Sequence, residues 1–191
     1  MKYDKTFLRN KFLLKRKKEY LRVKKFNFKL IFNLIKRNFK NKKIIIAGYY
    51  PANYEVNVLK FLEQAQKKRY KIALPAIDTS SKMSFKLWNF NHPLYINKFG
   101  ILEPDRLNQK IKPDLILVPL VAFDKNLNRI GYGKGYYDRN LRKIKKTKKK
   151  IVSLGIAYSF QKSEVIPVNK YDFKLDYIFT EQGIISSNYR L

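Results

Sequence analysis

Cysteine is absent from the 191 residues, and histidine occurs once, at position 92. The first absence removes disulfides, thiolate nucleophiles and cysteine-bearing metal sites; the second leaves little room for a His-rich metal centre or a Ser/His triad. Catalysis must therefore run on carboxylates, Lys and Arg, backbone amides or a borrowed cofactor. Acidic residues are scarce too, 14 against 43 Lys and Arg, for a formal net charge of +29. No apolar run approaches the ~18 residues that a membrane span needs. The N-terminal stretch MKYDKTFLRNKFLLKRKKEYLR breaks every apolar segment with charge, unlike a signal peptide. The chain is expected to be soluble and cytoplasmic, with no membrane partner.

What is present is enough for one sizeable core: 45% of residues are hydrophobic and 15% aromatic. With no internal repeat and no low-complexity linker, residues 1–191 are expected to form one domain. A charge of +29 points by itself to nucleic acid or an acidic surface. Yet the basic residues are spread along the chain, with clusters only at KRKK (15–18) and KKTKKK (145–150). That spread reads as biased residue usage on solvated faces, since nucleic-acid surfaces concentrate charge on one face or motif. The field would still draw in anionic ligands.

Residues 3 to about 40 carry Leu, Phe and Ile at helical spacing without Gly or Pro, which predicts one or two amphipathic helices. KKIIIAGYYP then reads as a buried strand and its exit loop, and YEVNVLKFLEQAQKKR as a helix with Val56, Leu59 and Leu62 on one stripe. KIALP is a second strand, stopped at Pro75. From Asp78 to Lys112 the pattern is less regular: MSFKLWNF suits an edge strand or hairpin, and GILEP a turn. PDLILVPLVAF has the near-continuous apolar character of a strand buried on both faces. GYYDRNLRKIKK is a helix with Tyr137, Leu141 and Ile144 aligned, and KIVSLGIA and LDYIFTE are further strands. This alternation predicts a three-layer α/β/α fold with a twisted, mostly parallel sheet and an N-terminal helical segment.

Three of only seven glycines fall within five positions of RIGYGKGYYD, residues 129–138. Glycine is costly to order, so such a cluster marks a tight turn or a close approach to a ligand. The spacing lacks the GK[ST] ending of a Walker loop and the G-x-G-x-x-G of a dinucleotide fold. Successive free amides before a helix can nevertheless converge on an anion. Lys134 and Arg129 would supply charge to phosphoryl oxygens, and Asp138 could hold an accompanying magnesium. A tight strand-to-helix loop with solvated charges explains the glycines equally well, and spacing alone leaves both readings open.

The longer string VPLVAFDKNLNRIGYGKGYYDRNL resembles the signature of the 5-formyltetrahydrofolate cyclo-ligase family. KTFLR (5–9), YYPANYEVN, Leu74–Pro75, GILEP (100–104) and DFKLDYIFTE (172–181) resemble family landmarks in the same order, so the resemblance spans nearly the whole chain. It implies an ATP-dependent ligase that converts 5-formyltetrahydrofolate to 5,10-methenyltetrahydrofolate. The formyl oxygen would take the γ-phosphoryl group, N10 would close the ring, and ADP and phosphate would be released. The implied partners are these two small molecules and magnesium, with the chain acting as a monomer. Another phosphate-ligand enzyme of the same fold class and a basic nucleic-acid-binding protein are the rival readings.

By the same resemblance Arg129, Ile130, Gly131, Tyr132, Gly133, Lys134, Gly135, Tyr136 and Tyr137 would wrap the ATP phosphates, with Arg129 and Lys134 catalytic. Tyr132 to Tyr136 would also face the folate. Lys5 and Arg9 would approach the nucleotide from one helix face. Asp138 and Asp172 would hold magnesium, Glu55 would accept hydrogen bonds from the pterin, and Tyr50 and Trp88 would wall it. Asn57 and Val58 stand where the family often carries an acid and a hydroxyl, and Tyr171 where it often has histidine.

Overall fold

The structure, a computed structural model, describes residues 4–187 except positions 24, 41, 79, 81 and 149. Its helices are α1 (Lys5–Glu19), α2 (Lys29–Phe39), α3 (Leu59–Lys67) and α4 (Tyr136–Thr147). The strands are β1 (Ile45–Ala47), β2 (Lys71–Ile77), β3 (Met83–Trp88), β4 (Tyr95–Ile96), β5 (Leu102–Glu103) and β6 (Lys110–Ile111), followed by β7 (Leu115–Pro119), β8 (Ala122–Phe123), β9 (Arg129–Ile130), β10 (Val152–Ile156), β11 (Tyr177–Thr180) and β12 (Gly183–Ser186). Eight of them form one sheet in the order β12-β11-β10-β7-β1-β2-β3-β6. Neighbours from β11 through β2 are parallel, and antiparallel strands finish both ends. Parallel pairing needs crossovers, which α3 supplies between β1 and β2 and α4 between β7 and β10.

The burial of β7 shows why helices cover both faces of the sheet. Leu115 and Leu117 pack with Ile31 and Leu34 of α2 and Phe61 and Leu62 of α3, while Ile116 and Val118 pack with Leu141 and Ile144 of α4. An apolar strand without polar alternation is what two covered faces demand. The expected three-layer, mostly parallel architecture is the one observed.

The N-terminal helical segment divides, and its first half does not join those layers. Asp4 caps α1 by accepting from the Phe7 amide at 2.6 Å. Leu8 and Phe12, four residues apart, then bury against Val121, Ala122, Ile130 and Ile166. Helix α1 is thus fastened to the β8–β9 hairpin, and so to the glycine cluster that follows β9.

Other local readings change as well. The run PDLILVPLVAF breaks after Pro119, which has no N–H to continue the ladder, and β8 pairs with β9 in a separate hairpin. Asp124 closes that hairpin, accepting from the Asn126 and Asn128 amides at 2.9 and 3.0 Å. GILEP contributes β5 to a second hairpin with β4. Helix α3 starts only at Leu59, so Glu55 precedes it instead of sitting in its first turn. Among the described residues no helix is long and apolar enough to cross a membrane.

Leu117 has no exposed surface and sits at the middle of β7. Leu117→Ala is expected to lower stability by about 2–5 kcal/mol, the range for a buried Leu truncation whose cavity collapses only partly. Urea unfolding measures it: the midpoint should fall with the slope unchanged.

Candidate functional site

A cleft of about 640 Å³ opens at the C-terminal ends of β1, β2 and β7, where Tyr49 and Tyr50, Ile77, and Pro119 line it. The chain leaves β1 toward β2 on one side, while β7 pairs on the other, which makes the gap beyond β1 a topological switch point. The glycine cluster, the cleft face of α1, the turn joining β4 to β5 and residues 169–172 complete the walls.

The cluster forms the turn from β9 into α4. Gly133 has φ +94° and Gly135, at the N-cap position of α4, has φ +65°, values that L side chains seldom adopt. A methyl group on Gly131 would meet nothing within 4 Å, and one on Gly133 would first meet the Arg9 guanidinium, at 3.4 Å. The loop therefore leaves open backbone in the cleft wall just before a helix N-terminus, where orphan amides and the helix dipole favour an anion. Arg9 holds the loop from α1, its Nε donating to the Gly131 carbonyl at 2.8 Å.

Arg129 and Asp138 bracket this loop and meet each other, Nη2 to Oδ1 at 2.6 Å. The same Oδ1 accepts from the Phe173 amide at 3.0 Å, and Arg129 Nη1 donates to the Phe173 carbonyl. The Arg129 side chain is only 4% exposed. The guanidinium, expected to pair with phosphate, donates to Asp138 and to Phe173 and lines the cleft beside the loop. Asp172 in turn accepts from Lys5 Nζ and, at 2.6 Å, from the Asn169 amide, both on Oδ2.

Across the cleft Glu55 accepts from the Tyr132 hydroxyl at 2.8 Å on Oε1 and from the Ala52 amide at 2.9 Å on Oε2. Burial pushes its carboxyl above the ordinary range; the Ala52 N–H, the Tyr132 hydroxyl and the charge of Arg16 pull it partly back. Burial likewise raises the phenols of Tyr49, Tyr132 and Tyr137. The Tyr137 hydroxyl finds no partner among the described residues.

Of the residues expected at the site, Lys5, Arg9, Tyr50, Glu55, the whole stretch Arg129–Asp138 and Asp172 line this one cleft. Trp88 does not. It lies in the core at 5% exposure, packed on Phe90 at 4.6 Å, with its indole N–H donating to the His92 carbonyl at 3.1 Å. Its place as a pterin wall is corrected, because β3 turns that side chain to the face covered by α2 and α3. Phe99, on the turn between β4 and β5, is an aromatic that the irregular sequence there did not single out; its ring lies 6.4 Å from that of Tyr136. Arg16 was hidden inside KRKK, yet it continues the Leu8, Phe12 spacing and is as buried as they are.

The model of the 5-formyltetrahydrofolate cyclo-ligase family matches residues 1–181. A 5-formyltetrahydrofolate cyclo-ligase of Mycoplasma genitalium is 35% identical over 186 residues, covering 92% of this chain and 96% of its own. One from Haemophilus influenzae is 33% identical over 136 residues, 68% and 72% of the two chains. The solved structure of 5,10-methenyltetrahydrofolate synthetase from Aquifex aeolicus superposes with a TM-score of 0.75 at 30% identity, over 98% of this chain and 94% of that one.

The raised pKa of Glu55 carries a stability prediction. A carboxyl whose folded pKa lies above its unfolded value contributes stability below the unfolded pKa and loses it as pH rises through the folded one. Glu55→Gln, which cannot ionise, is therefore expected to gain in melting temperature relative to the native chain as pH is raised from about 4.5 to 8. Thermal unfolding of both across that window checks it, and parallel curves would contradict the shift.

Proposed function

The chain belongs to the 5-formyltetrahydrofolate cyclo-ligase family, and on that premise we propose that the cleft at the β1–β7 switch point holds both reactants, ATP on the glycine loop and the pteridine against Glu55. The reaction is the ATP-dependent conversion of 5-formyltetrahydrofolate to 5,10-methenyltetrahydrofolate. The observation that carries the assignment is the meeting, in one cleft, of open positive-φ backbone ahead of a helix and a half-buried carboxylate on the facing wall.

On this reading the amides from Gly131 to Gly135 receive the phosphates, with Arg9 and Lys134 neutralising their charge. Lys5 lies beside them, tied to Asp172. Glu55 accepts from the N–H groups of the pteridine, and Tyr50, Tyr132 and Tyr136 supply flat surface. The formyl oxygen is itself the nucleophile, so the lack of cysteine and of a second histidine costs nothing. Phosphoryl transfer asks the protein mainly for alignment and charge neutralisation. N10 then displaces the phosphorylated oxygen, and phosphate leaves.

Arg129 shapes the loop through Asp138 and keeps further N–H donors for a phosphoryl oxygen. The donor set fits magnesium: Asp138 takes both its hydrogen bonds on Oδ1 and Asp172 both on Oδ2, so each keeps a second oxygen for a hard cation that binds through one or two carboxylates plus phosphate. Held there, magnesium would neutralise charge on the transferring phosphoryl oxygens. A monomer of one domain over residues 1–191, working in the cytoplasm, is the setting we propose.

Methenyltetrahydrofolate absorbance should appear on mixing the protein, MgATP and 5-formyltetrahydrofolate. Gly133→Val should reduce that rate about 100-fold or more, because its side chain displaces Arg9 and distorts a backbone that only glycine adopts readily. Glu55→Gln should weaken 5-formyltetrahydrofolate about tenfold or more with ATP affinity kept, and Lys134→Ala the reverse, the loss of a charge-assisted hydrogen bond in each case. Calorimetric titration of each ligand into each variant separates the subsites; equal loss of both ligands in both variants would contradict them.

A further inference from the structure

Arg16 is buried to 1% exposure, yet none of the ion pairs among the described residues includes it. Its Nη1 donates to the Leu120 carbonyl at 3.1 Å, its Nη2 to the Tyr132 hydroxyl, and its Nε has no partner among the described residues. A cation taken out of water this way is costly unless an anion stands close by. That anion is one phenol away. Arginine can only donate and an ionised carboxylate can only accept, so the Tyr132 hydroxyl accepts from Arg16 and passes its own proton toward Glu55 Oε1 at 2.8 Å. The Arg16 guanidinium also lies 5.6 Å from the centre of the Tyr132 ring, which limits the freedom of that side chain.

We propose that Arg16 is a positioning residue for the folate: acting through Tyr132, it holds the Glu55 carboxyl aimed at the pteridine's N–H donors. The inference rests on the assignment of Glu55 to the pteridine given above. The other titratable groups facing Glu55 are phenols, Tyr49 after β1, Tyr137 on α4 and Tyr158 after β10, all raised by burial and so neutral at physiological pH. Lys5 and Arg9 share the cleft but are turned to Asp172 and to the Gly131 carbonyl. Arg16 is thus the cation whose attraction, added to the Ala52 amide and the Tyr132 hydroxyl, works against the burial that raises this carboxyl.

The test is the affinity for 5-formyltetrahydrofolate, titrated without nucleotide between about pH 5 and 9, a span that brackets a raised carboxyl. In the native chain affinity should fall as pH drops and Glu55 takes a proton. Arg16→Met should move the midpoint of that fall upward by about one pH unit, so that affinity on the acid side of the native midpoint drops about tenfold. Arg16→Lys, which keeps the charge, should recover most of it. Tyr132→Phe, which leaves Arg16 in place and cuts the hydroxyl link, should move the midpoint the same way, and it decides the matter if Arg16→Met does not fold. A merely structural Arg16 would weaken binding equally at every pH. An unmoved midpoint in the Arg16 and Tyr132 variants, with Glu55→Gln weak and flat in pH, overturns the role of Arg16 and leaves Glu55 as the pteridine acceptor. If Glu55→Gln binds as the native chain does at every pH, the Glu55 assignment falls and this inference with it.

Discussion

The ion pair of buried Arg129 with half-buried Asp138 is the constraint on which the rest of the cleft depends. The two residues lie on either side of the glycine loop, and their contact closes it the way a clasp closes a strap. Because Arg129 donates to the Phe173 carbonyl and Asp138 accepts from the Phe173 amide, the pair also grips a backbone unit from a distant part of the chain. That grip places Asp172 where Lys5 of α1 can reach it. Loop, helix and the 169–173 segment are thus tied to one another by partly buried charges, and breaking the contact at Arg129, 4% exposed, leaves a buried cation without its partner.

A second set of ties runs from α1 to the loop and across to Glu55. Arg9 holds the Gly131 carbonyl, Arg16 holds Tyr132, and Tyr132 meets Glu55. Helix α1 therefore serves the site more than the core: its apolar stripe docks on the β8–β9 hairpin, and its long cations reach past that stripe to fix the loop. Rigid mounting of this kind suits chemistry that is mostly alignment, where a misplacement of about 1 Å can cost 100-fold in rate.

Much of this was legible in the sequence where a residue type has only one physical use. Gly133 and Gly135 announce positive φ, and the unbroken apolar run at 115–118 announces a strand covered on both faces. What composition obscures is which of many like charges is buried. Among 43 Lys and Arg, Arg16 differs from its neighbours only in falling on the Leu8, Phe12 stripe. Arg129 and Asp138 each look like ligand groups, and that they satisfy one another is a property of the closed loop, which no spacing reveals. Trp88 misleads for the opposite reason: an aromatic on a strand has two faces to choose between, and β3 sends this one to the core.

A crystal structure of the protein with 5-formyltetrahydrofolate and a non-hydrolysable ATP analogue would test the shared cleft most directly. The triphosphate should lie along the amides of Gly131 to Gly135, with the pteridine within hydrogen-bonding distance of Glu55 and its formyl oxygen facing the terminal phosphate. A triphosphate bound away from the glycine loop, or a pteridine out of reach of Glu55, would contradict it.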